Sequence, residues 1–147
     1  MLRFFSGLTA ALFLAVSLPA AAQSASGASG ETLYRQAIAL FQQGKQEESF
    51  NKLIAACDLD HAKSCLVLAQ QYPKWGADFM DDAFFKASKA CQLRLADGCL
   101  QAGDLLANGS FADGDFDASK AKHYYLEACK LGAERGCQLD TLDYVPE

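Results

Sequence analysis

The most regular chemical feature of the sequence is the placement of its six cysteines. They form three pairs with seven residues between the two members: Cys57 and Cys65, Cys91 and Cys99, Cys129 and Cys137. Thiolates can bind zinc, but structural zinc sites usually place two cysteines about two to four residues apart, and the sequence has no Cys-x-x-Cys. Because the three spacings are identical, we predict that each pair closes a local disulfide. We expect no metal site and no cofactor.

Two Ser-x-x-Lys matches hint at nucleophilic chemistry. Ser49 with Lys52, and Ser119 with Lys122, place a lysine one helical turn after a serine, where the amine could act on the serine proton. The S-D-N and K-T-G motifs that accompany this spacing in penicillin-recognising enzymes are missing. Ser49 also stands where the other repeats carry alanine. We treat these four residues as weak catalytic candidates.

The two histidines offer no better catalytic set. His61 falls in a predicted turn and His123 inside a predicted helix, and neither has an evident catalytic partner nearby in the sequence. We interpret both as exposed polar residues.

The N-terminal segment has the features of an export signal. Arg3 provides a positive charge, an apolar stretch runs from Phe4 to Leu18, and small residues end at Ala22. The apolar stretch is shorter than the roughly 20 residues that a membrane-spanning helix needs. We expect residues 1–22 to be a cleaved signal peptide, 23–30 a flexible linker and 31–147 one repeat domain. The mature protein would then be periplasmic or secreted, where disulfides persist.

The charge balance limits the choice of partner. The chain carries 13 basic and 18 acidic residues, and its formal net charge is −5. It has no basic stripe that could follow a phosphate backbone, so we do not expect a nucleic-acid partner. An anionic membrane surface is disfavoured by the same argument. We expect a monomer that binds a protein or peptide.

Apolar residues recur with the period of a helix. Met80, Ala83, Phe84 and Ala87 show the i, i+3, i+4, i+7 spacing of one helical stripe, and glycine or proline separates successive stripes. The sequence predicts no strand and seven helices, over residues 31–43, 45–58, 61–72, 78–93, 95–107, 117–131 and 133–143. The cysteine pairs start 34 and 38 residues apart, a period typical of helix pairs that bury their apolar faces against each other. The predicted fold is an all-α solenoid of about three to three and a half helix pairs.

The last repeat carries the motif KA-x-x-x-Y-x-x-AC-x-x-G, formed by Lys120, Ala121, Tyr125, Ala128, Cys129 and Gly132. This motif resembles a Sel-one-like repeat, whereas the opening segment 33–57 is more similar to a tetratricopeptide repeat. With its cysteine pairs, the chain resembles the secreted, cysteine-rich Sel-one-like repeat proteins of bacteria, often grouped as β-lactamase-like. One departure is the segment Tyr72-Pro73-Lys74-Trp75-Gly76, which replaces the glycine-rich turn of the family.

The resemblance implies three possible functions. The first is a scaffold that binds a protein or peptide in the cell envelope, and this is the one we favour. The second is a β-lactam-binding or weakly β-lactam-hydrolysing enzyme. The third is a binder of cell-wall peptides without turnover. A likeness of fold alone is a weak argument for enzymatic activity.

The resemblance also implies where a partner would bind. In tetratricopeptide-like solenoids the first helix of each pair lines the concave face. Helical spacing then predicts a groove formed by Lys63, Val67, Gln70, Asp97, Gln101, Asp104 and Asn108. A rival site is an aromatic patch formed by Trp75, Phe79 and Phe85, which fall off the core stripe.

Overall fold

The computed structural model describes residues 29–108 and 118–140, and this part of the chain is almost entirely helical. Its seven α-helices are α1 Gly30–Gln42, α2 Gln46–Asp58, α3 Ala62–Gln71, α4 Met80–Gln92, α5 Ala96–Asn108, α6 Ala118–Lys130 and α7 Glu134–Asp140. Two short 3₁₀ turns, Tyr72–Trp75 and Ala77–Phe79, connect α3 to α4. The described residues contain no strand. The predicted all-α class and the predicted helix order are confirmed.

The predicted signal peptide, and the linker as far as residue 28, lie outside the described residues. The last two linker residues belong instead to the start of α1. Ser29 is the N-cap, and its hydroxyl accepts a hydrogen bond from the Thr32 backbone N–H at 3.2 Å. Serine is favoured at this position because its oxygen satisfies an amide that the helix itself leaves unpaired.

The core runs through the solenoid as three connected clusters. The first contains Ala37, Leu53 and Leu68, from α1, α2 and α3. The second joins α3, α4 and α5, and the third joins α5 and α6. Each helix thus buries its apolar stripe against its neighbours in the chain, and α3 also contacts α5, the first helix of the next pair. This is the packing expected of a solenoid.

The three predicted disulfides are present, and no cysteine is free. Each joins the end of the second helix of a pair to the first turn of the next helix, with Cα–Cα distances of 4.8, 4.5 and 4.6 Å. Because the helices meet so closely, the residue before the second cysteine is small. A Cβ added to Gly98 would lie 2.6 Å from Ala90 Cβ, and one added to Gly136 would lie 2.6 Å from the Tyr125 carbonyl oxygen. Neither glycine was predicted from the sequence.

The helix ends at the disulfides share one type of turn. Three residues after the first cysteine, Asp60, Arg94 and Gly132 have positive φ angles of 59°, 66° and 92°. In each case the next amide donates to a carbonyl five residues earlier, at 3.0, 3.1 and 2.9 Å. This is the Schellman arrangement, which favours glycine at the left-handed position. Asp60 and Arg94 therefore adopt a backbone conformation that is unfavourable for residues other than glycine.

Candidate ligand-binding surface

Four of the seven residues of the predicted groove meet in one cleft, which we call the amide cleft. It has a volume of about 380 Å³ and lies mainly between α3, α5 and α7. Its lining residues are Gln70, Pro73, Met80, Gln101, Asp104, Leu105, Asn108 and Arg135. The first helices of successive pairs thus form its walls, as the tetratricopeptide-like arrangement predicts.

The carboxylate of Asp104 holds one wall of the amide cleft together. Both of its oxygens accept hydrogen bonds from the Arg135 guanidinium, at 2.9 and 3.0 Å. The Tyr125 hydroxyl donates to the same carboxylate at 3.1 Å. These contacts tie α5 to α6 and α7, so Asp104 acts as an organising residue and places the Arg135 side chain at the cleft. Arg135 was not predicted, because it lies 31 residues from Asp104 in the sequence.

Two amides of the cleft remain available to a ligand. Gln70 is exposed and Gln101 is partly buried, and neither side-chain amide bonds to another group in the described residues. Asn108, by contrast, donates from Nδ2 to the Asp104 backbone carbonyl at 3.2 Å. A glutamine amide both donates and accepts, which matches the alternating N–H and C=O groups of an extended peptide.

The other three predicted groove residues lie elsewhere. Lys63 and Asp97 are exposed in the first turns of α3 and α5 and do not line the amide cleft. Val67 lines a second cavity, together with Gln71 at the end of α3. The predicted groove is therefore shorter than the helical spacing suggested, because its outer walls are set by α7 and by the 3₁₀ turn after α3.

The second cavity, which we call the aromatic pocket, has a volume of about 660 Å³. Its lining residues are Ile38, Phe41, Gln46, Glu47, Ser49, Phe50, Asn51, Leu53, Val67, Gln71 and Trp75. The Trp75 ring packs 4.5 Å from the Phe50 ring, centroid to centroid. Even so, the Trp75 side chain stays 52% exposed and Phe41 stays 62% exposed. The pocket is thus an open cavity with large apolar side chains at its mouth.

The predicted aromatic patch is only partly brought together. The Trp75 and Phe79 rings lie 5.6 Å apart, and both pack around Tyr72. Phe85 lies on α4 with the Lys86 ammonium 5.9 Å from its ring centroid, and it lines neither cavity. The reason is helical geometry: its neighbour Phe84 packs inward on Tyr124, so Phe85 points away.

The amide cleft and the aromatic pocket are neighbours. Gln70 and Pro73 line the cleft, whereas Gln71 and Trp75, from the same stretch of chain, line the pocket. The end of α3 and the following 3₁₀ turn therefore form a wall shared by both cavities. Of the three residues of the predicted aromatic patch, only Trp75 lines the aromatic pocket, and this shared wall places it next to residues of the predicted groove.

The weak catalytic candidates lie on two helices, with Ser49 and Lys52 on α2 and Ser119 and Lys122 on α6. Ser49 is buried, and its hydroxyl donates to the Ala37 carbonyl at 2.8 Å. Ser119 and Lys122 are exposed on α6. In the described ranges, no group of three or more His, Cys, Asp or Glu residues could hold a metal ion. None of the helices in these ranges is long and apolar enough to cross a bilayer.

The interpretation of His61 as an exposed polar residue was wrong. Its side chain is only 15% exposed and caps α3, with Nδ1 accepting from the Ser64 backbone at 3.3 Å and lying 2.8 Å from the Ser64 hydroxyl. Nε2 lies 3.0 Å from Glu31 of α1. Hydrogen bonds from Arg35 and then from His61 lower the pKa of the Glu31 carboxyl. His61 therefore couples two helix N-termini rather than serving a site.

Neither a protein-family model nor a curated protein sequence matches the chain. Among solved structures, Helicobacter pylori cysteine rich protein B is similar, with 27% sequence identity and a TM-score of 0.58. The match covers 70% of this chain and 79% of that protein. The likeness concerns the repeat fold and does not bear on β-lactam chemistry. The chain is thus similar to a cysteine-rich helical-repeat protein, in agreement with its resemblance to Sel-one-like repeats.

Proposed function

We propose that the protein is an exported scaffold of the cell envelope that binds an extended segment of another protein in the amide cleft. The observation that carries this proposal is the meeting of Gln70 and Gln101 in one cleft with no partner for either amide in the described residues. Three disulfides in a chain of 147 residues support an oxidising location. Helical-repeat proteins commonly offer such surfaces to extended ligands.

The cleft has the polar groups that a peptide backbone requires. The two glutamine amides can each bond to a backbone N–H and a backbone C=O. Beside them, the Arg135 guanidinium is held in place by Asp104 and is more than half exposed, so its remaining N–H groups can reach a ligand carbonyl. Pro73, Met80 and Leu105 supply apolar contact between these polar groups.

The test is affinity capture from the native cell envelope. Wild-type protein is compared with a Gln70→Ala/Gln101→Ala variant and with a Gln36→Ala/Gln92→Ala control. Gln36 and Gln92 are exposed and line neither cavity, so the control removes two amides of the same chemistry. We expect the wild type and the control to capture the same protein and the cleft variant to lose about tenfold in affinity for it, with all three melting alike. Equal capture by all three would show that the cleft is not the binding site.

A further inference from the structure

We propose that the aromatic pocket is a second subsite for the same partner segment and takes a large apolar side chain that stands beside a lysine or arginine. This inference rests on the proposed function and adds the chemistry of the ligand. It starts from three large apolar side chains that line one cavity and are exposed to solvent. Phe41 is 62% exposed, Trp75 52% and Ile38 38%. Large apolar side chains at the mouth of an open pocket mark a place where apolar surface can be buried on binding.

The pocket is large enough to take an apolar side chain together with the residues next to it in an extended segment, and its walls are apolar. Its volume of about 660 Å³ lies within the usual range for ligand pockets, about 300–1,000 Å³. Phe50, Leu53 and Val67 form apolar walls, and Phe50 is fixed by its contacts with Tyr72 and Trp75. Because this wall is already rigid, binding orders few further side chains. Most of the free energy gained by burying apolar surface then stabilises the complex.

The charge at the rim selects a cation next to the apolar side chain. Glu47 is the one ionisable residue in the lining, and it forms no ion pair within the described residues. Its neighbour Glu48 pairs with Lys45 at 3.7 Å. The Lys74 ammonium donates to Gln71, on the α3 side of the pocket, at 3.1 Å, so the negative charge of the lining lies on the α2 side. A carboxylate beside exposed aromatic faces attracts a lysine or arginine by charge and by cation–π contact.

The shared wall sets the distance between the two subsites. A segment lying in the amide cleft must cross the end of α3 to enter the aromatic pocket, since Gln70 faces one cavity and Gln71 the other. A helix is about 10 Å across with its side chains, and an extended chain advances about 3.3 Å per residue. The apolar anchor should therefore stand about three to four residues from the backbone stretch that the glutamines bind.

Trp75 provides a direct readout, because it is the single tryptophan of the chain. The probe is a tryptophan-free random dodecapeptide library displayed on phage and selected against protein purified after export of the full chain. Enriched peptides are synthesised and titrated while Trp75 emission is followed. We expect a consensus with Leu, Phe or Tyr within two residues of Lys or Arg, and a blue shift of Trp75 emission on binding.

Matched variants separate this inference from the proposed function. Phe41→Ala should weaken binding of the selected peptides about tenfold, whereas Phe85→Ala, which removes an equally exposed ring outside both cavities, should leave it unchanged. Glu47→Gln should weaken binding about threefold, and Glu48→Gln should not.

Three results would overturn the inference. If peptides bind and Gln70→Ala/Gln101→Ala weakens them, but Phe41→Ala does not, the pocket is no subsite although the proposed function stands. If no peptide is enriched, or none responds to either set of variants, both proposals fail. If the protein is a dimer that Phe41→Ala converts to a monomer, the pocket is a self-association surface.

Discussion

Ser49 shows at the scale of one residue how a chemically suggestive side chain can serve packing. It lies at the small position of α2 that Ala83 and Ala121 occupy in α4 and α6, and all three are buried. Its hydroxyl proton is directed to the Ala37 carbonyl oxygen. A buried hydroxyl whose proton is already committed to a backbone carbonyl is poorly placed to attack a substrate.

We therefore expect Ser49→Ala to lower the free energy of unfolding by about 1 kcal/mol, the usual net value of one hydrogen bond. Urea denaturation of the variant and the wild type measures this difference. The same two proteins are assayed with a chromogenic cephalosporin, with Ser119→Ala as the control. Hydrolysis by the wild type that Ser49→Ala alone abolishes would contradict the structural role.

Glu31 gives a prediction about pH. Its lowered pKa means that folding favours the carboxylate, owing first to Arg35 and then to His61. The stabilisation is present above the ordinary value of 4.5 and is lost as the pH falls through the lower folded-state pKa. The free energy of unfolding of the wild type should thus exceed that of Glu31→Gln at pH 7, and the difference should shrink as the pH falls below 4.5. Thermal melts of both proteins across this range, with Glu47→Gln as the control, measure it. A gap that widens on acidification would refute the assignment.

At the scale of the element, the helix-ending turns explain how repeats of different sequence keep one geometry. The hydrogen bonds of the turn are the same after α2, α4 and α6, although the left-handed residue is Asp60, Arg94 or Gly132. Aspartate tolerates this conformation better than arginine does. Asp60 also pairs with Lys89 at 3.0 Å, which compensates part of its cost.

Arg94→Gly should therefore raise the free energy of unfolding by about 1 kcal/mol, since glycine removes the steric cost of the left-handed conformation. The melting temperature should rise by about 4 °C. Asp60→Gly is the matched comparison, and we expect a smaller gain or none because it also removes the ion pair with Lys89. Calorimetry on the three proteins tests both values. A lower melting temperature for Arg94→Gly would show that the arginine side chain contributes more than its backbone costs.

At the scale of the whole molecule, the disulfides offset the small number of interfaces in a short solenoid. Each closes a loop of about nine residues, which the chain-entropy treatment values at roughly 2.5 kcal/mol. Because every bridge joins one pair to the next, they hold successive helix pairs together along the solenoid.

Export of the full chain should yield a protein that begins at Gln23 and is six hydrogens lighter than its fully reduced form. Intact-mass measurement before and after reduction tests the processing and the bridges together. The native protein should not react with thiol reagents, because all six cysteines are paired. A retained N-terminal segment would contradict the predicted signal peptide, and any free thiol would contradict the pairing.

Helix periodicity, the order of the helices and the cysteine pairing could all be predicted from the sequence. Each of these depends on residues close together in the chain, so a local pattern suffices. The contacts between residues far apart in the chain, including those that shape the two cavities, could not be predicted from a local pattern. Arg135 meets Asp104 across 31 residues, His61 meets Glu31 across 30, and Trp75 packs on Phe50 from a turn that the repeat pattern does not contain. These pairings depend on how far each helix pair is rotated against the next, and that rotation follows from packing of the whole stack rather than from any single segment.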